Sequence, residues 1–208
     1  MSLRFICTLS LLAITAALPA AAQDNQLYED PADPNASFVR IVSPGETVAV
    51  VGKSTFDAVE GGVTPYVMVT AGPISVAVGD LVSEGEIEAA SFYSFVRGTD
   101  GQLQMLKDDI TNSPAQADLV FYNLSDVPVV DLFVPSVDAV AIKDIAQNTS
   151  RQVTLKAPLT LDFEVRDGAT TLANLPGISM RRRAGVTVVF SGTAGNYTAY
   201  STENLYSN

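Results

Sequence analysis

The 208-residue sequence predicts an all-β fold: two tandem immunoglobulin-like antiparallel β-sandwich domains following a cleaved signal peptide. Three observations lead there. Short runs rich in Val, Thr, Tyr and Phe are punctuated by Gly, Pro, Asn and Asp, the pattern of many short strands, and no amphipathic helix of convincing length interrupts them. Two of the runs alternate strictly: in LTLDFEVRD, Leu161, Phe163 and Val165 alternate with Asp162, Glu164 and Arg166, and in PISVAVGD the apolar positions are Ile74, Val76 and Val78. One face of such a strand can be buried while the other stays wet. Third, the two halves match in order. Residues 36–51 resemble 117–133, AGPISVAVGD resembles KAPLTLDFEVRDG, and SFYSFVRGTDGQL resembles GVTVVFSGTAGNY, at offsets of 81, 85 and 94 residues. Loops tolerate insertion and core strands do not, so two copies of one fold produce a growing offset in a constant order.

From the N-terminus, residues 1–22 read as a secretory signal: Arg4 is the basic start, FICTLSLLAITAAL the apolar stretch and Ala20-Ala21-Ala22 the small-residue cleavage site. The apolar stretch is too short for a membrane span, and no later segment approaches the needed length. Residues 23–35 form an acidic, proline-containing lead-in with four acids and no base. Residues 36–110 make the first sandwich and residues 117–208 the second, each with room for seven or eight strands. Between them TNSPAQ, residues 111–116, is the linker, where Pro114 holds Ser113 extended and limits the swing of the two domains. RGTDGQL and SGTAGNY are equivalent hairpins with glycines placed for positive φ.

The one cysteine, Cys7, lies inside the signal, so stability must come from apolar cores rather than disulfides. The full sequence carries a net charge of −11. That charge repels polyanions at long range and argues against a nucleic-acid partner. No histidine occurs anywhere. This removes Ser-His-Asp and Cys-His pairs, the double-histidine zinc site and the commonest general base at neutral pH. No catalytic residue, cofactor site or metal site is therefore expected.

Glu84, Glu86 and Glu88 in SEGEIEAA share a strand face and suit either acid–base work or calcium, but a wet face of an acidic protein looks the same, and a full calcium-loop spacing is lacking. Asp108-Asp109 and the pair Asp30 and Asp33 read as solvated coil. Arg181, Arg182 and Arg183 form the only basic run. Guanidinium groups suit carboxylates, so the run fits a uronate polymer or an acidic partner protein, and the protein is preferred because a polymer feels the whole chain's repulsion. Tyr28, Tyr66, Tyr93, Tyr122, Tyr197, Tyr200 and Tyr206 are candidates for a sugar-stacking surface, against the ordinary reading of half-buried packing residues with wet hydroxyls.

The lead-in LYEDPADPNASFVRIVS, with Leu27-Tyr28, Pro31, Pro34 and Ser37-Phe38-Val39-Arg40, resembles the opening of the AlgF family, periplasmic accessory proteins of bacterial alginate O-acetylation, and the resemblance runs on through YVMVTAGPISVAVGD and the second unit. It implies a soluble periplasmic, non-catalytic adaptor whose partners are O-acetyltransferase proteins of the alginate machinery, with at most weak polysaccharide contact. The absence of histidine agrees that another chain carries out any acetyl transfer. The competing expectation is a secreted carbohydrate-binding β-sandwich module with no acetylation role.

Overall fold

In a computed structural model of the chain, the alternating runs PISVAVGD and LTLDFEVRD lie in outer layers, and SFVRIV and QADLVFYNLS, buried almost throughout, lie in inner ones. The structure describes residues 35–45, 48–57, 59–111 and 113–207. The signal and nearly all of the lead-in, through residue 34, lie outside the described residues. The described residues belong to one compact unit.

In chain order the first half supplies β1 (Ser37–Val42), β2 (Ala49–Val51), β3 (Ser54–Phe56), β4 (Tyr66–Val69), β5 (Gly72–Val78), β6 (Leu81–Ile87), β7 (Phe92–Arg97) and β8 (Leu103–Asp108). The second half supplies β9 (Gln116–Ser125), β10 (Val129–Val134), β11 (Ala139–Ala146), β12 (Thr149–Lys156), β13 (Leu159–Asp167), β14 (Thr170–Met180), β15 (Gly185–Thr193) and β16 (Asn196–Glu203), followed by the short β17 (Tyr206–Ser207). They form four sheets: sheet I in the order β3-β2-β5-β6, sheet II β17-β4-β1-β7-β8, sheet III β12-β9-β15-β16 and sheet IV β11-β10-β13-β14. Adding eight to each strand number of sheet I gives sheet IV, and the same step takes β4-β1-β7-β8 to sheet III, with every pairing keeping its sense.

Three apolar clusters stack these sheets as layers I, II, III, IV. Val39, Ile41 and Phe95 of sheet II meet Val51, Val76 and Val78 of sheet I. Leu119, Phe121, Val188 and Phe190 of sheet III meet Leu132, Phe163 and Val165 of sheet IV. Val42 and Val96 of sheet II meet Val120, Tyr122 and Val189 of sheet III. Because sheets II and III are covered on both faces, β1 and β9 are buried almost throughout, whereas β5 and β6 in sheet I and β13 in sheet IV alternate. The inward positions read from the sequence stand: Val76, Val78, Phe163, Val165, Val186, Val188 and Phe190 are buried, and Ile74 and Leu161 pack partly buried against the same clusters.

Three features differ from the sequence reading. The sheets are not purely antiparallel: β1 pairs with β7, and β9 with β15, in parallel, which is possible because the intervening chain crosses through the facing sheet before returning. The chain also returns from the second half to the first, with β17 beside β4 in sheet II, Tyr206 opposite Tyr66, and the Tyr66 amide bonded to the Leu205 carbonyl at 2.8 Å. Finally, an offset of 81 lays Val39 of one core on Val120 of the seam, and an offset of 94 lays Phe95 on Val189, another seam residue. The strands correspond, but both matches slip by one residue, which turns every side chain to the other face. The offset of 85 keeps Val78 on Phe163, core on core.

Both hairpins form where the sequence reading puts them, but their loops differ: five residues part Arg97 from Leu103 in β7–β8, where Gly101 takes φ 77°, against two in β15–β16. Ala194 and Gly195 both take positive φ, at 53° and 85°, in the two-residue turn of β15–β16. This is the twist-matched turn that two-residue loops require.

Candidate functional site

Among the described residues, a connected group of buried polar side chains lies in the II–III seam, centred on Arg40. On the central strand β1, Val39 and Ile41 point into the first core, which aims Arg40 the opposite way, toward sheet III. Its Nε donates to Ser94 Oγ at 2.9 Å, Nη1 donates to Thr187 Oγ1 at 2.8 Å and to Asn204 Oδ1 at 3.1 Å, and Nη2 donates to the Tyr122 hydroxyl at 2.9 Å. Its guanidinium also lies 4.2 Å from the centre of the Tyr66 ring. The negative counterpart is Asp108, which accepts from the Tyr66 hydroxyl at 2.8 Å, from the Tyr122 hydroxyl at 2.6 Å and from Ser94. Arg40 and Asp108 thus share Ser94 and Tyr122, and every side chain in the group is buried.

Burial opposes the Arg40 charge, but the facing Tyr122, Tyr66 and Asp108 outweigh it, so its pKa is raised and the guanidinium stays charged. Burial, with Asp108 adding to it, pushes the Tyr66 and Tyr122 hydroxyls well above the usual tyrosine range, so both stay protonated as donors. Gly185 lets Asn204 approach: a Cβ there would meet Asn204 Nδ2 at 2.2 Å. A serine, an aspartate, two tyrosines and an arginine in mutual contact have the composition of a reactive site. Ser94 is fully buried, however, with no exposed surface for a substrate to reach. As arranged, the group can join two layers; it cannot receive a substrate without the layers parting.

The basic run lies at the β14–β15 turn. Arg181 is ion-paired with Glu203 on the surface, Arg182 Nε donates to the Ala157 carbonyl at 2.9 Å, and the Arg183 amide bonds the Gln116 carbonyl at 3.3 Å with φ at 60°. Arg183 is therefore the member whose side chain no hydrogen bond or ion pair engages among the described residues. Glu84 and Glu86 are exposed on the outer face of β6 as expected, and Glu88 pairs with Lys107 at 2.6 Å, which lowers its pKa. Among the described residues no group of three or more acidic, Cys or His side chains is placed to hold a metal. Asp108, read as coil, is instead the buried acid of the seam, while Asp109 is exposed.

The structure does not gather the tyrosines on one face. Tyr66 and Tyr122 serve the seam, Tyr93 lines the first core, Tyr197 bonds Asp126 at 2.8 Å and Tyr200 donates to the Gly61 carbonyl. Tyr206 stacks on Tyr66 in a cluster with Phe38 and Phe92, and Tyr28 lies outside the described residues.

Sequence reasoning missed a second basic surface. A groove of about 480 Å³ runs between β11 and β12 and is lined by Lys107 of β8, Lys143 of β11 and Arg151, Ser150, Gln152 and Val153 of β12. The three cations lie far apart in sequence, so no run announced them.

No protein-family model matches the chain, and no curated protein does. Among solved structures, the C-terminal domain of AlgF from P. aeruginosa is similar over 43% of this chain and 98% of that one, with 17% identity and a TM-score of 0.39. A likeness at that level does not place the chain in the family.

Proposed function

We propose that this chain is an exported, periplasmic, non-catalytic adaptor of a polysaccharide O-acetylation machinery, alginate being the polymer that its lead-in and Ser37-Phe38-Val39-Arg40 stretch suggest. In this reading two immunoglobulin-like sandwiches act as one rigid body that holds acetyltransferase proteins together, and those partners carry out the chemistry. The observation that supports it best is the fate of Arg40, the last residue of that stretch: it is spent on locking sheet II to sheet III, with the nearby serine, aspartate and tyrosines enclosed around it. A site built for acyl transfer needs its nucleophile and base within reach of substrate. Here the same residue types are committed to fixing the angle between two sandwiches, which is what a bridging protein requires. Arg183, free at a turn of the second sandwich, is the member of the basic run best placed to meet an acidic partner.

Deleting the gene should lower polymer acetylation while leaving polymer yield intact, and the mature chain should copurify with acetyltransferase components. Acetyl transfer to the polymer by the purified chain alone would refute the adaptor reading. Tight binding of the polymer by the isolated chain, with no acetylation defect on deletion, would favour the carbohydrate-binding module instead.

A further inference from the structure

We propose that the groove between β11 and β12 is the docking site for an extended, acidic segment of a partner protein, which adds to the open strand edges there and pairs its carboxylates with Lys107, Lys143 and Arg151. This assigns a surface to the adaptor reading and rests on it for its biological sense.

Two observations converge on the groove. The first is topological: β8 ends sheet II, β12 ends sheet III and β11 ends sheet IV, and the three terminal strands meet at this place. The outward backbone groups of a terminal strand have no ladder partner, so an extended chain can hydrogen-bond to them. The second is charge. In a chain of net charge −11, three cations from three separate strands line one groove, while the acids Glu84 and Glu86 are on the outer face of sheet I.

The acids facing these cations are exposed and exchangeable. Lys107 is held by Glu88 at 2.6 Å and Lys143 lies 3.6 Å from Asp144, with all four side chains more than half exposed. No hydrogen bond or ion pair engages the Arg151 guanidinium among the described residues. Ser150 and Gln152, whose side chains lie on the sheet II side of β12, add polar contacts along the same line. A polypeptide strand satisfies both the edge groups and the cations, whereas a polyuronate satisfies only the cations and meets the whole chain's negative field.

The test uses the full mature chain and a fluorescein-labelled peptide of alternating Glu and Val, about ten residues long to match a strand, followed by fluorescence anisotropy at low ionic strength. The Glu-Val peptide should bind. Its affinity should fall roughly tenfold or more in the double variant Lys143→Glu/Arg151→Glu, both exposed positions, with an unchanged thermal melt confirming the fold. A Lys-Val peptide should not bind, and neither should a Glu-Val peptide N-methylated at alternate residues, which keeps its charge but loses its edge-pairing donors.

Any one of these results overturns the proposal: no binding of the Glu-Val peptide, equal binding by the N-methylated peptide, equal binding by the double variant, or binding of an oligouronate in its place with the same dependence on Lys143 and Arg151. Self-association of the wild-type chain that the double variant abolishes would put a second copy in the groove and overturn it as well. None of these measurements involves acetylation, so the groove can fail while the adaptor reading stands, and the deletion phenotype can fail while the groove binds.

Discussion

The two sandwiches share one topology but not one economy of burial. Among the described residues, eighteen buried side chains make the core between sheets III and IV, while ten make the core between sheets I and II. The strands differ in the same direction: β14 has eleven residues and β9 ten, whereas the longest strands of the first sandwich have seven. Buried apolar area scales the main favourable term in folding, so the second sandwich is the more self-sufficient one. The first compensates across the seam, where its β1 side chain Arg40 reaches Thr187, Asn204 and Tyr122 of the other half, and where β17 returns to extend its sheet. A repeated fold can therefore keep its strand order while one copy comes to depend on docking against the other.

The largest expected effect breaks that dependence. Arg40→Ala removes one partner of a buried charge arrangement and leaves Asp108 without its counter-ion, which should cost about 3–5 kcal/mol in denaturant unfolding. Arg40→Lys should recover little, because one ammonium cannot replace a fork that reaches Ser94, Thr187, Asn204 and Tyr122 at once. If the first sandwich relies on the seam, hydrogen exchange in Arg40→Ala should speed up in β1, β2 and β5 while β13 to β15 stay protected. Uniform loosening of both halves would show the two sandwiches to be one cooperative unit instead.

A cut inside each core sharpens the comparison. Phe163→Ala in the larger core should cost about 3–5 kcal/mol, and Val76→Ala in the smaller about 2 kcal/mol. Val76→Ala should nonetheless bring the protein closer to local opening of sheet I, a difference that native-state hydrogen exchange resolves and a global melt does not.

Next in size is the tyrosine pair of the seam. Tyr122→Phe leaves the Arg40 Nη2 and an Asp108 oxygen each short of a partner and should cost about 1–3 kcal/mol. The pH dependence follows from the same pair. Burial raises both hydroxyls above their unfolded value, so their contribution is fully present below about pH 10 and is lost as pH rises toward the folded value. Above pH 10 stability should fall as pH rises, because the folded chain holds both protons that the unfolded chain has released. In an ultraviolet titration they should ionise only together with unfolding; ionisation of all tyrosines near pH 10 with the fold intact would show the seam to be open to water.

The smallest effect is at the β14–β15 turn. Arg183→Ala should change stability by less than about 0.5 kcal/mol, since no side-chain bond is lost. If it weakens copurification with acetyltransferase components at the same time, the turn is a contact surface; if it does neither, the run is a solvated turn.

The sequence by itself determined the all-β class of fold, the order in which segments of the two halves correspond, the two hairpins and the inward faces of β5, β13 and β15. For the outer strands β5 and β13 the reason is periodicity: one face meets a core and the other meets water, so the residues alternate and the register can be read. The inner strands β1 and β9 give no such signal. ASFVRIVS and ADLVFYNLS are buried toward both neighbours, and a one-residue slip costs nothing visible in the pattern, which is why the halves could be matched strand for strand and yet misaligned by one. Only tertiary structure decided that Arg40 and Asp108 belong to a buried seam, that β17 crosses back to the first sandwich, and that Lys107, Lys143 and Arg151 line one groove. Each of these joins residues far apart in sequence, and what unites them is the stacking of sheets and the meeting of their edges, which local composition does not record.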